Sequence, residues 1–351
     1  MATLDHATST VRGIRLRLAA RRRLVTALLL LALALTFAAA LYLGDYPVAP
    51  AEVVRSLFSR FTGAVDKGID FIVLNVRLPR ATLAILTGIA FALSGIIFQT
   101  LLRNPLASPD IIGISHGASA SAVFCIIVLG LSGMAVSLGA LLGAIATALV
   151  IYGLSWRGGV TAYRVVLIGI GMAAIMGAIM SYLFTRARLF EVQQALGWLV
   201  GSLNASNSGD ITFLACALLV LLPVTVALVR VLDAMQLGDD TATALGARVE
   251  AVRLALMLIG VAYAAFATAA VGPVTFVAFV AGPIARNLLG GAGKGFVQAA
   301  LVGALVMLGS DLVAQHALPM VQLPVGVVTG IFGAIFLLWL LIASNRAGRV
   351  N

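Results

Sequence analysis

The chain alternates between apolar runs of about twenty residues and short polar breaks, and this rhythm constrains its fold more than any single motif. The runs fall near 24–43, 78–102, 111–130, 134–155, 164–185, 211–232, 254–271, 274–290, 296–317 and 324–343. A helix needs about 20 apolar residues to cross the hydrocarbon core. In lipid, a helix satisfies its backbone groups within its own segment. The pattern predicts an all-α polytopic membrane protein of about ten transmembrane helices in one bundle. Tight joints at Leu131-Ser132-Gly133 and Gly272-Pro273 leave nine or eleven spans open. Composition agrees: 62% of residues are hydrophobic and 10% charged, against roughly 25% charged in soluble domains. The expected organisation is a basic tail over 1–23, one transmembrane domain over 24–345 and a short tail over 346–351.

The first run needs separating from a signal peptide. Arg12, Arg15, Arg17 and Arg21-Arg22-Arg23 precede it, as a basic n-region would. A run of about twenty residues is too long for an h-region. Tyr42-Leu43-Gly44-Asp45-Tyr46-Pro47 is also a poor cleavage site. A retained first helix is the expectation.

Charge sets the orientation. With ten spans and a cytoplasmic N-terminus, sixteen of the 23 Lys and Arg fall on the inside and seven on the outside. That imbalance fits the positive-inside rule and places both termini in the cytoplasm. It also accounts for the net charge of +10 without nucleic acid, since no segment interleaves bases with aromatics as a nucleic-acid platform would.

Several motifs fail on inspection. Gly290-Gly291-Ala292-Gly293-Lys294-Gly295 imitates a phosphate-binding loop, but Leu288 stands where the first Gly belongs and Gly295 where Ser or Thr belongs. It reads as a cytoplasmic turn. His6, His116 and His316 lie far apart, and Cys125 and Cys216 sit in apolar runs. Neither set has metal-ligand or disulfide spacing. With no catalytic constellation, the chain is expected to be no enzyme and to bind no cofactor or metal itself. Gly139-x-x-x-Gly143, Gly326-x-x-x-Gly330, and Gly169, Gly171 and Gly177 predict close helix packing.

Three polar stretches carry more information. Arg77-Leu78-Pro79-Arg80 stands at the outer mouth of the second span, with Pro in a favoured helix-start position. Its arginines suit either lipid headgroups or an external acidic partner. Arg103-Asn104-Pro105-Leu106-Ala107-Ser108-Pro109-Asp110 cannot continue a helix through its two prolines, and Ser108 or Asp110 can cap the next one. Met235–Glu250 is the longest polar cytoplasmic loop. Gly238-Asp239-Asp240 reads as a helix start with acidic residues at its positive end, and Gly246 as a C-terminal cap. This predicts a short surface helix suited to docking.

These stretches, with Gly272-Pro273-Val274-Thr275-Phe276-Val277 and Gln322-Leu323-Pro324-Val325-Gly326-Val327-Val328-Thr329, resemble the iron-siderophore, haem and vitamin B12 importer permeases. Those are the membrane subunits of type II ABC importers. The likeness runs in order from about residue 70 to the C-terminus. Phe98-Gln99, the Ser-Pro-Asp tract and Met235–Leu245 look nearest to the ferric-enterobactin branch, its G subunit above all.

The resemblance implies a ten-span permease of the bacterial inner membrane, working as a dimer with a second permease. It implies two ATPase subunits, which use ATP and Mg, a substrate-binding protein outside, and a ferric siderophore as cargo. Gly238, Asp239, Asp240, Thr241, Ala244, Leu245 and Gly246 match the ATPase-coupling loop. Arg77 and Arg80 match arginines that pair with glutamates of the binding protein. Gln315 replaces a third such arginine, which favours a paralogous permease partner over a second copy. Ala162 and Tyr163 fall at the family's cytoplasmic gate but depart from its small polar residues. Gly282-Pro283 stands where much of the family has Pro-His. Haem or cobalamin is the alternative cargo. An ion-coupled secondary transporter is the alternative class, but it would usually need an ionisable residue in mid-membrane.

Overall fold

The computed structural model describes every residue except 1, 45, 63–66, 111, 157–160, 205, 237, 247, 291, 294, 319–320 and 348–351. The described residues form helices throughout, with one isolated bridge between Leu318 and Val321. In chain order they are α1 (Ala2–Tyr42), α2 (Pro50–Thr62), α3 (Lys67–Asp70), a π-helix (Phe71–Arg77), α4 (Leu78–Leu101), α5 (Ile114–Ile127), α6 (Met134–Ser155), α7 (Ala162–Arg186), α8 (Leu189–Leu199), α9 (Ser208–Met235), α10 (Asp239–Ala244), α11 (Val249–Val271), α12 (Val277–Leu289), α13 (Phe296–His316) and α14 (Val325–Ala347).

Each apolar run holds a helix. Seven helices are long and apolar enough to cross a membrane, and α5, α12 and α14 contribute shorter apolar segments. With 14 and 13 residues, α5 and α12 extend only about 20 Å at 1.5 Å per residue. Each is entered through irregular backbone, 102–110 and 112–113 before α5 and 272–276 before α12. Such backbone needs protein cover at membrane depth. Ala107, Ser108, Ile112 and Val274 are accordingly buried.

Three helices lie outside the sequence expectation. The second span does not start at Leu78: helix runs continuously from Lys67 to Leu101. Pro79 has no N–H to give, and the backbone widens to π register just before it, with the Leu78 N–H reaching the Val73 carbonyl. A π turn inside an α-helix re-aims the side chains around it, and here Arg77 is turned inward. The short helix α2 starts at Pro50, where the Glu52 carboxylate accepts the Ala49 N–H at 2.8 Å. In the same way, α8 starts with the Arg188 N–H donating to Glu191 at 2.9 Å.

Helices α4 and α11 form the centre. In their most apolar stretches 78% and 67% of residues are buried, against 11% in α1 and α7. Close approach is made by glycines. A Cβ at Gly95 would stand 1.8 Å from the Ala278 carbonyl oxygen of α12, and one at Gly88 would stand 2.4 Å from that of Gly303 in α13. Without a hydrophobic force between helices in lipid, such backbone contact is what holds them together. Gly139, Gly143, Gly169 and Gly326 also touch neighbouring segments, but Gly171 and Gly177 face open space. Those two do not pack helices within this chain.

Candidate functional site

Polar side chains gather at the two ends of the bundle. At the end where α4 begins, the Arg77 Nη1 donates to the Leu41 and Tyr42 carbonyls at 2.9 Å, and its Nη2 to that of Tyr46 at 2.5 Å. The guanidinium thus closes the last turn of α1, whose final carbonyls have no helical partner. Arg80 Nε donates to both Asp311 oxygens at 3.1 and 2.9 Å, and its Nη1 donates to Gln322 at 3.0 Å. Gln315 Nε2 donates to the same Asp311 carboxylate at 2.8 Å. Asp311 is 1% exposed and Arg80 9%. Both arginines therefore point into the protein in this structure, where the sequence led us to expect outward-facing groups. Gln315, which stands where a third arginine was expected, serves the same buried carboxylate.

A cavity of about 250 Å³ opens beside this cluster, lined by Arg77, Arg80, Asn204, Asp311, Gln315 and His316. Through Asn204 it adjoins a second cavity of about 600 Å³, walled by Gln194, Trp198, Ser202, Asn207 and Asp210. Together they form a mouth of mixed polar and apolar lining at this end of the bundle, with Leu83, Ile126 and Val136 on the wall of the larger cavity.

At the other end, α10 is capped as the sequence implied. Gly238 and Gly246 take φ of 113° and 85°, conformations open to glycine. Ala242 is fully buried and seated with Met235 and Val249. Asp239, Asp240, Thr241, Ala244 and Leu245 are exposed, Leu245 at 68%. Arg253 Nη2 donates to Asp239 at 2.7 Å, and Arg103 stands 3.8 Å from its other oxygen. Nearby, Ser115 donates to Asp110.

At the expected gate, Tyr163 is 76% exposed in the first turn of α7, which Ala162 begins. The loop-like tract Gly290–Gly295 joins α12 to α13: Gly290 caps one helix and Gly295 starts the next. Arg21 donates to the Leu288 carbonyl there. The backbone is closely packed at Gly282. A Cβ would meet Gln99 Oε1 at 2.2 Å, and that side chain is held by Arg286 at 2.7 Å and by the Phe279 carbonyl at 3.0 Å. The Arg80–Asp311 pair escaped sequence reading altogether, because 231 positions separate its members.

A bundle of apolar helices with two short, irregularly entered members and a capped surface helix between long spans is the architecture of a multi-pass membrane protein. The chain superposes on an inward-facing metal-chelate type ABC transporter with a TM-score of 0.80, covering 91% of this chain and 99% of that one at 24% identity. The chain belongs to the FecCD transport family, whose model matches residues 30–343. It is 39% identical to the ferric enterobactin transport system permease FepG of Escherichia coli, over 93% of this chain and 98% of that one. It is equally identical to the achromobactin permease CbrC of Dickeya dadantii, over 92% of each. The Fe(3+)-citrate permease YfmE of Bacillus subtilis is 34% identical over 92% of this chain and 96% of its own length. The family is thus that of the siderophore and iron-chelate ABC permeases.

Proposed function

We propose that the chain is the permease subunit of an ATP-driven importer that carries a ferric siderophore across the bacterial cytoplasmic membrane, with an enterobactin-like catecholate as cargo. The end-to-end match to FepG at 39% identity carries this reading. In it, a second permease, a paralogue by the Gln315 argument, completes the path. ATPase subunits bind at the α10 end through Asp240, Thr241 and Leu245 and supply the work of ATP and Mg. A binding protein docks at the mouth beside Arg77 and Arg80. Because Arg77 and Arg80 already have internal partners, an acidic group of that protein engages Arg77 by exchanging with the α1 carbonyls and adds to Arg80 without displacing Asp311. Both termini lie in the cytoplasm, and Tyr163 with Ala162 stands at the inner gate. Alternation between two bundle arrangements moves the cargo.

The buried pairing of Asp311 with Arg80 argues against a proton- or ion-coupled carrier, which needs an ionisable group able to change partners in mid-membrane. The test is growth of a deletion strain on single iron sources. Growth on a ferric catecholate should be lost and restored by this chain. Restored growth only on haem, or a deletion that affects cobalamin uptake alone, sinks the catecholate assignment. Uptake that survives ATP depletion but collapses with an ionophore sinks the ABC assignment.

A further inference from the structure

We propose that Asp239, held by Arg253 and Arg103, is the positioning residue that ties α10 to the centre of the bundle. This rests on reading α10 as the helix that meets the ATPase. A six-residue helix is too short to hold its shape or place alone. Two attachments fix it. Ala242 anchors it apolarly against Met235 and Val249, with Leu101 and Val252 packed around. Asp239 anchors it by charge: Arg253 of α11 donates to it at 2.7 Å, and its Arg side chain is 17% exposed. Arg103, just past α4, lies 3.8 Å from the same carboxylate and donates to the Met235 carbonyl of α9 at 2.7 Å. Arg253 also pairs with Glu250, one turn back on α11.

Three elements therefore meet at one carboxylate, α10, α11 and the end of α4, and Arg103 links them to α9 through the Met235 carbonyl. Two of them, α4 and α11, are the most enclosed of the seven long spans, so a displacement of α10 reaches the core before the lipid-facing helices. Arg103 holds its place at φ 49°, a backbone region side chains seldom occupy. Strain of this kind persists where surrounding contacts fix it, and here those contacts are Met235 and Asp239. The adjacent aspartates thus divide the work. Asp239 faces the bundle, and Asp240, exposed beside Thr241, faces outward.

The test uses the assembled transporter with its ATPase and partner permease in lipid. Asp239→Asn should leave co-purification of the ATPase unchanged. It should lower cargo moved per ATP hydrolysed by about fivefold or more, the lower end of typical coupling between sites. Asp239→Glu should restore the ratio. Arg253→Gln combined with Asp239→Asn should be no worse than Asp239→Asn alone, since both remove one contact. An unchanged ratio in Asp239→Asn overturns the proposal. So does loss of the ATPase in that variant, which would place Asp239 in the docking face instead. Leu245→Asp separates the two readings. If the ATPase still binds it normally, the coupling reading of α10 fails. If Leu245→Asp loses the ATPase while Asp239→Asn transports normally, only the tie through Asp239 fails.

Discussion

Two arginine clusters sit at opposite ends of α4 and are built differently. The helix has 24 residues, about 36 Å at 1.5 Å per residue, so it separates them by more than the ~30 Å hydrocarbon core. At its start, Arg80 grips Asp311 with the two side chains 11% and 2% exposed. Past its end, Arg103 meets Asp239 at 3.8 Å with both more than half in solvent or nearly so, at 58% and 50%. The first is a closed pair, saturated by Gln315 and Gln322. The second is a shared, hydrated contact that also involves Arg253 and a backbone carbonyl. An exposed pair contributes roughly 0–1 kcal/mol, so it can be broken and remade during a cycle. A buried one cannot lose a member without leaving a bare charge. One end of α4 is fastened and the other is jointed.

The largest expected effect tests the fastened end. Asp311→Asn leaves the Arg80 guanidinium buried without its counter-charge, which costs about 3–5 kcal/mol. Thermal unfolding of the purified permease in detergent should show it. Replacing both members with Leu should recover most of the loss, because apolar replacement of a whole buried pair is often near neutral. If Asp311→Asn destabilises no more than Asp239→Asn, the contrast between the two ends collapses.

This pair also marks where sequence reading stopped. The ten apolar runs, the break at 102–113 and the capped helix at 239–244 were legible because each is a local pattern: hydropathy, two prolines, and Gly with Asp at a helix start. Short helices were harder. The connectors that hold α2 and α8 hide them because each mixes polar and apolar residues over less than a span. The spans read near 111–130 and 274–290 proved shorter as helices because apolar residues such as Val128, Leu129 and Val274 belong to the turns. The arginines at 77 and 80 were expected at an exposed mouth, and both are buried. Their inward aim depends on a π turn and on a partner 231 positions away, and neither leaves a periodic trace. Gly88 and Gly95 went unnoticed for the same reason: close contact is a property of two helices, while Gly171, conspicuous in sequence, touches nothing within 4 Å.

Between its ends α4 has to behave as a rod for the comparison to matter, and that gives the intermediate effect. Gly95→Ala drives a methyl into the Ala278 carbonyl, and overpacking of this kind costs about 1–3 kcal/mol. Gly171→Ala, in open space on α7, should be neutral or stabilising by up to about 1 kcal/mol through helix propensity. The same unfolding assay reads both. Equal behaviour of the two variants would mean that α4 is not pinned to α12 by backbone contact, and that motion at one end need not be carried to the other.

The smallest expected effect sharpens the contrast by salt. Screening lengths fall from about 10 Å at 0.1 M to about 3 Å at 1 M, and only solvated charges feel the change strongly. Arg103→Gln should shift the unfolding temperature slightly at 0.1 M salt, and that shift should shrink towards zero at 1 M. The Asp311→Asn shift should hold its size, since ions do not reach a carboxylate 2% exposed. The joint at Asp239 should follow Arg103, with transport per ATP in the unaltered complex falling as salt rises, because Arg103 and Asp239 both stand in solvent. Salt-independent coupling, with the Asp239 variants still defective, would shift the weight of the joint onto the less exposed Arg253 contact and leave Arg103 as a fastening for the α9 carbonyl alone.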